Sequence, residues 1–408
     1  MDKIKNKMKK ILKDKLYNNS LFLIINAGIM SFLGFIFWII AARSFSAAEI
    51  GLAVTLISLI NILSNFSNLG FNISLIRYLP QSNIKSKIIY STINLTILFS
   101  ILFSAIIFIL VYFFYPEMNY IKDSPLIYFF LIIIFTSIVT QFNLIESIFI
   151  ALRKSWKVLF KNLIWSILKI LGLFLFFGLN IWGIYISWFG TLIIALIIAL
   201  FLINVKYKFF IDLKIIKRLF KYSFLNYISN TALIISFIGL PIFVTYMLGT
   251  DQTAYFYMSW MIANLLFFVP QSIGKIFISE GSHSKKNSSI IKALKFNYII
   301  IGIGIILGIL LSRIILSFFG ELYLENSFKP LIILLISSLF YSYNSLMISQ
   351  FNLEHKLKKV ILVNSGICIL TFFFSFLLIN LGLIGISLGW LIANIILNLG
   401  LLGGKKWN

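Results

Sequence analysis

The chain has 408 residues, of which 60% are hydrophobic and only 12% charged, with a mean hydropathy of +1.01. A water-solvated domain carries about 25% charged residues because its surface must be hydrated, so this composition excludes a soluble globular protein and makes lipid the main solvent. The formal net charge of +23 would suit nucleic acid, but its distribution is that of a topology signal, and no nucleic-acid partner is expected.

A basic segment, 1–19, comes first. It places Ile4, Met8 and Ile11 on one face among lysines, the pattern of a helix lying on anionic headgroups or of a charged tail that only fixes topology. Apolar stretches long enough to cross a core of about 30 Å as helices follow near 20–43, 50–79, 88–115, 125–151, 157–178 and 181–204. After a basic linker, 205–221, a second set lies near 222–248, 253–279, 289–319, 328–352, 358–380 and 382–404, ahead of a short tail, 405–408. The alternating ten-residue segments of a barrel are absent. The expectation is an all-α membrane protein of about 12 transmembrane helices, with one six-helix bundle over 20–204 and another over 222–404. The 50–79 stretch exceeds the bilayer thickness, so its last turns should emerge on the basic side.

Alternate connections differ sharply in charge. One side collects 30 of the 35 Lys and Arg, including Arg77, Lys154, Lys161, Lys214 and Lys359; the other has Arg43, Lys122, Arg313 and Lys329. The positive-inside rule then places both termini in the cytoplasm of a multi-pass plasma (inner) membrane protein. One cation is left over, Lys169, inside a span.

A shift of 202 residues superposes the fourth to sixth spans on the tenth to twelfth without a gap. Asn162 falls on Asn364, Leu179 on Leu381, Gly183 on Gly385, Ile184 on Ile386 and Trp188 on Trp390. Thr136, Thr140 and Ser147 fall on Ser338, Ser342 and Ser349. Six spans per half give both halves one orientation, a parallel repeat about an axis along the membrane normal with a cleft between bundles.

Polar side chains at membrane depth turn toward a bundle interior or a wet cavity. Asn61, Asn65, Asn68 and Asn72 are spaced 4, 3 and 4 apart, which on one helix aligns all four amides as interhelical glue or as a cavity wall. Thr136, Thr140, Asn143 and Ser147 repeat the spacing, and Asn162, Ser166 and Lys169 share a face. Lys169 should sit roughly 18 Å into its span, near the midplane, where an ammonium needs a carboxylate, water or an anionic ligand. Glu146, on the neighbouring span, is the candidate coupling or ion-pair group, although by helical rise it lies roughly 9 Å nearer the cytoplasm. Arg43 and Arg313 end spans at the outer face, where they can snorkel to headgroups or hold a departing diphosphate. The first, seventh and eighth spans hold no carboxylate at membrane depth, which favours anionic over cationic cargo.

Catalytic signatures are missing. Cys368 is the single cysteine and lies in an apolar run; His283 and His355 lie in basic connections; no P-loop or metal-spaced cluster occurs. No metal, no cofactor and no enzymatic activity are expected.

At the end of the first span, Ala41-Ala42-Arg43-Ser44-Phe45-Ser46-Ala47-Ala48-Glu49-Ile50-Gly51 resembles a recurring stretch of Wzx-type polysaccharide biosynthesis proteins, in the MOP superfamily with the MATE exporters and the lipid II flippase. Leu69-Gly70 and Arg77-Tyr78-Leu79-Pro80 resemble that family's second-span ending. The resemblance implies a MOP-type fold and a flippase that moves polyprenyl-diphosphate-linked oligosaccharide from the inner to the outer leaflet for surface polysaccharide assembly. Arg43 would occupy the family's arginine position, and glycan polymerase or transferase proteins and membrane lipids would be the partners. The twelve spans and the asparagine-rich second span depart from lipid II flippases, so another glycan is the expected cargo. A MATE-like multidrug or metabolite antiporter is the alternative, and a membrane enzyme of glycan assembly the third.

Overall fold

The computed structural model describes residues 15–114, 125–203, 208–283 and 289–403, so the amphipathic pattern at Ile4, Met8 and Ile11 lies outside the described residues. Within them the chain is helical and has no strand. The first half comprises α1 (Lys15–Ser44), α2 (Ala47–Asn68), the short α3 (Phe71–Tyr78), α4 (Lys85–Phe114), α5 (Pro125–Ala151), α6 (Ser155–Leu175) and α7 (Ile181–Ile203). The second comprises α8 (Leu213–Leu248), α9 (Thr250–His283), α10 (Ile290–Ser317), α11 (Glu321–Leu353), α12 (Leu357–Leu377) and α13 (Leu383–Gly403). All but α3 contain a stretch long and apolar enough to span a bilayer, which gives 12 spans.

Burial follows the rule for lipid rather than water. Leu171, Phe174, Leu310 and Leu399 are exposed, while Thr96, Thr136, Ser166 and Ser342 are buried. Inward hydroxyls mostly return to their own helix, as Thr96 does to the Thr92 carbonyl (2.9 Å) and Ser67 to that of Leu63 (2.7 Å). With no water in hydrocarbon, such bonds prevent the loss of several kcal/mol that each unsatisfied polar group would bring (roughly, by transfer to an apolar phase).

The motif between the first two spans is a helix start. Ser46 Oγ donates to Glu49 Oε2 (2.8 Å), the Ser46 amide also donates there (2.9 Å), and the Glu49 amide donates to Ser46 Oγ (3.3 Å). This reciprocal capping box satisfies donors that the first turn of α2 leaves open.

The sequence duplication is reproduced in the backbone. Helices α6 and α12 have bounds that differ by 202 residues, as do the 3₁₀ turns after them, Phe177–Leu179 and Ile379–Leu381. Left-handed residues recur at the same shift: Arg153 (φ 56°) with His355 (φ 58°), and Asn180 (φ 50°) with Gly382 (φ 60°). Gly183 and Gly385 have one cause: a Cβ there would lie 2.3 Å from the Phe176 carbonyl oxygen and 1.9 Å from that of Leu378. The repeat is broken at one place. Ile186–Gly190 of α7 forms a π turn around Trp188, whereas α13 runs as regular α-helix past Trp390.

A second difference concerns the asparagine stripe. The 50–79 stretch is not one helix, because Leu69 (φ 47°) and Gly70 (φ 76°) take left-handed backbone and end α2 at Asn68. Asn72 therefore belongs to α3, and the four amides do not share one helical face. Helix α3 packs Phe71 and Leu75 against Leu144, Ile148 and Leu219, and Ser74 Oγ donates to the Leu219 carbonyl (2.9 Å).

The chain forms two compact units, residues 1–45 with 60–227, and 46–59 with 228–408. Helix α2 is shared between them at Leu59/Ile60. Its first half is anchored within the second unit, where Thr55 hydrogen-bonds to Thr245 and Thr245 to Thr253 (2.8 Å).

Close approach at the duplicated glycine predicts that Gly385→Ala destabilises the protein by about 1–3 kcal/mol through overpacking. Gly400→Ala in the same helix, where a Cβ would meet nothing within 4 Å, should be neutral; thermal unfolding in detergent compares the two.

Candidate functional site

Helix α6 carries a stripe at four-residue spacing, Lys157, Lys161, Trp165 and Lys169, which a helical period places on one face. Neighbouring positions Asn162 and Ser166 widen the face. Lys161, Asn162, Ser166 and Lys169 are all buried, and helices α1, α5 and α7 pack around them.

The stripe begins in a polar network. Lys161 Nζ donates to Glu146 Oε2 of α5 (3.1 Å) and to Asn162 Oδ1 (2.8 Å), and lies 3.4 Å from the centre of the Phe142 ring. Asn162 Nδ2 donates to Asn26 Oδ1 of α1 (3.0 Å) and to the same Glu146 oxygen (3.3 Å). The Lys161 side chain is 0% exposed and that of Glu146 32% exposed, so the pair is closed at the lysine and open at the carboxylate.

Two turns further along, Lys169 enters an aromatic box. Its Nζ lies 4.3 Å from the Trp165 ring centre, 4.4 Å from Trp188 and 5.3 Å from Phe37. Trp165 and Trp188 meet edge to face at 5.2 Å, and Trp165 Nε1 donates to the Trp188 carbonyl (3.0 Å). The π turn of α7 thus presents both the ring and the carbonyl of Trp188 to α6. Among the described residues no carboxylate lies within ion-pair distance of Lys169.

Magnitudes decide what this box does. Burying an ammonium costs several kcal/mol even after relaxation, and a desolvated cation–π contact returns about 2 kcal/mol. Three rings roughly offset burial but supply no net negative charge. Among the described residues the first unit therefore encloses two buried lysines with one carboxylate in contact with them, the partly exposed Glu146.

The structure corrects two expectations. Glu146 pairs with Lys161, not with Lys169. Lys161, which the charge pattern counted with the basic connection, is fully buried in α6, because one helical turn past the Lys157 position it already faces α5. Of the remaining expected residues, Arg43 is exposed in the last turn of α1 and Arg313 is exposed on α10 with its guanidinium 5.3 Å from the Phe328 ring centre. Asn61 and Asn65 are half-buried on α2, and Asn68 is buried, donating to the Ser64 carbonyl (3.0 Å) while its Oδ1 has no protein partner. Asn143 Nδ2 reaches Ser64 Oγ (3.5 Å), which ties the polar face of α5 to α2. Asn72 Oδ1 accepts from the next amide on α3 (3.2 Å).

The second unit keeps the scaffold of this site without its charge. At a shift of 202, Val363 replaces Lys161 and Thr371 replaces Lys169. Trp390 instead packs against Phe237 (5.1 Å), Trp260 (5.0 Å) and Tyr341 (5.9 Å) in an uncharged aromatic cluster.

Twelve spans among the described residues, an internal repeat and charged and amide groups buried inside the bundle define a polytopic membrane protein. Residues 16–277 match the family model described as "Polysaccharide biosynthesis protein", and the chain belongs to that family. Among solved structures it is similar to the lipid II flippase MurJ in an inward closed conformation, at 20% identity and TM-score 0.77, over 95% of this chain and 87% of that one. It is also similar to an inward-facing multidrug resistance MATE transporter of the MOP superfamily, at 14% identity and TM-score 0.72, over 95% and 97% of the two chains. A third likeness is to a MOP superfamily transporter from Pyrococcus furiosus, at 13% identity and TM-score 0.62, over 97% and 96%. These likenesses, all at 20% identity or less, show that the chain shares its fold with these proteins. No curated protein matches the sequence.

The ion pair yields a stability test. Glu146→Gln leaves Lys161 buried without a counter-charge and should cost about 3–5 kcal/mol, whereas Glu146→Gln with Lys161→Met should recover most of that loss. Thermal unfolding of the single and double variants in detergent measures the coupling, and additive losses would show that the pair is not formed.

Proposed function

We propose that the protein is a flippase carrying polyprenyl-diphosphate-linked oligosaccharide units from the cytoplasmic to the outer leaflet for surface polysaccharide assembly. The observation that carries this reading is the positive surplus inside the first unit: among the described residues, Lys161 and Lys169 are buried and only Glu146 pairs with either. A membrane interior that holds an ammonium without a carboxylate is suited to an anionic cargo, and a diphosphate is the anion that glycan assembly attaches to its lipid carrier. Family membership supports the glycan, and the similarity in fold to a lipid II flippase supports a lipid-linked cargo.

In this reading the diphosphate approaches from the basic face, exchanges water for the partly open Glu146–Lys161–Asn162 network, and draws the Lys169 ammonium out of its aromatic box. Asn61, Asn65 and Asn68 offer amides to sugar hydroxyls, and Arg43 and Arg313 offer guanidinium groups on the outer side. Both termini are cytoplasmic, on the strength of the cations collected on one side of the topology, 29 when the buried Lys161 is set aside from the 30. A reporter that fluoresces only in the cytoplasm, fused after Asn408, should be bright; a dark, membrane-inserted fusion would invert the orientation. An antiporter of small molecules is the second reading. It rests on Glu146, whose side chain is 32% exposed and could carry a coupling proton.

Lys169 separates them. In proteoliposomes, Lys169→Met should slow translocation of a polyprenyl-diphosphate-linked sugar at least about tenfold, the loss expected if one charge-assisted contact of about 1.5–3 kcal/mol is removed. Lys169→Arg should retain part of the rate. Unchanged translocation by Lys169→Met at equal protein level would remove the lysine from the pathway.

A further inference from the structure

At one end of the first unit, three separate segments converge beside a groove. The strand-like linker 208–212 lies across the start of α4, held there because Asn94 Nδ2 donates to the carbonyls of Lys208 and Phe210 (3.2 Å each) and the Asp212 amide donates to Ser91 Oγ (3.0 Å). This strapping fixes the Lys208 backbone beside α4, and Lys87 Nζ lies 5.9 Å from the ring centre of Phe210 in the same strap. Lys85, Lys87 and Lys208 are exposed, as are Lys214, Lys217 and Arg218 at the start of α8. Asp212 is the one carboxylate among residues 71–93 and 208–220. It is committed to capping α8, where its Oδ1 accepts from the amides of Lys214 (2.9 Å) and Ile215 (3.2 Å).

Two residues along α4 from Lys87 begins a groove of about 350 Å³, lined by Ile89, Ile93 and Ile97 of α4 and by Leu196, Leu200 and Ile203 of α7. Tyr90, which also lines it, is one helical turn beyond Lys87. Gln141 lines it too, with its Nε2 turned to Thr96 Oγ1 (3.0 Å). Phe209 and Leu213, 75% and 73% exposed, are the chain neighbours of Lys208 and Lys214. Cations at the start of α4 and in the strap, apolar chain neighbours beside them and an apolar furrow further along α4 match the three layers of a phospholipid in one leaflet.

We propose that this surface binds a single anionic phospholipid, with its phosphate among Lys85, Lys87 and Lys208 and one acyl chain along the α4–α7 groove. Charge complementarity selects an anionic headgroup over a zwitterionic one, because each juxtamembrane cation strengthens binding to anionic lipid roughly fivefold. The strap fixes the backbone of the linker cation beside α4 instead of leaving it in a free loop. The lipid is bound as a structural partner of the first unit, independently of the cargo assigned above.

Native mass spectrometry of the full chain, released from detergent with phosphatidylglycerol or phosphatidylcholine of the same acyl chains, tests this. Phosphatidylglycerol should be retained preferentially, and less so as salt rises. Lys85→Gln with Lys208→Gln should weaken its retention roughly fivefold for each cation removed, and Lys292→Gln with Lys295→Gln, exposed cations of α10, should leave it unchanged. Leu200→Trp, which fills the groove with the cations intact, should reduce retention of both lipids. Equal retention of the two lipids, an effect of the α10 pair as large as that of the Lys85 and Lys208 pair, or no effect of Leu200→Trp would each overturn the proposal.

Discussion

A charge kept in hydrocarbon has to be given a partner, and helix α6 carries two such charges two turns apart. Lys161 is paired with Glu146 and donates to Asn162 Oδ1, whose own Nδ2 donates to Asn26, and Lys169 is enclosed by Phe37, Trp165 and Trp188. Each solution draws in other elements. The first fixes α5 and α1 against α6; the second fixes α7, whose π turn turns Trp188 toward the box while its carbonyl takes the Trp165 indole. Much of the first unit's interior is arranged around ammonium groups that a purely structural bundle would not contain.

Comparison of the two halves separates scaffold from function. The helix bounds of α6 and α12, the left-handed pairs Arg153/His355 and Asn180/Gly382, the close-packed glycines and the ring-packed tryptophans Trp188/Trp390 are shared. Asn364 donates to Ser229 Oγ (2.9 Å), as Asn162 does to Asn26, so even one polar bridge is repeated. Val363, Thr371 and the regular helix at Trp390 are not. What is visibly repeated is a way of packing three helices; what distinguishes one copy is charge. An asymmetric charge inside a symmetric scaffold is the physical basis for assigning cargo handling to the first unit.

The topology was legible because hydropathy and charged punctuation act over whole spans, and the repeat because packing glycines and tryptophans leave fixed residue types at a fixed interval. The site was legible only in outline. Lys169 stood out as a cation far from either end of its span. Lys161 did not, because a lysine six residues into a helix is read as interfacial unless its stripe is followed: Trp165 and Lys169, at four and eight residues beyond it, were the available signal. Pairing was beyond reach, since it depends on the rotation of α5 that turns Glu146 toward Lys161. The asparagine stripe misled for a local reason. Its spacing assumes an unbroken helix, and Gly70 offered a place to break it, but the left-handed conformation of Leu69 has no residue-type signature.

Selectivity of the wild-type protein tests the central claim most directly. Purified protein would be reconstituted into liposomes holding a fluorescent polyprenyl-diphosphate-oligosaccharide, and a membrane-impermeant quencher added outside. Protein-dependent loss of the protected fraction for that lipid, with no loss for a labelled ordinary phospholipid, is the predicted result. Equal movement of both lipids, or movement of neither under ion gradients of either sign in a preparation shown to be folded, would contradict the account.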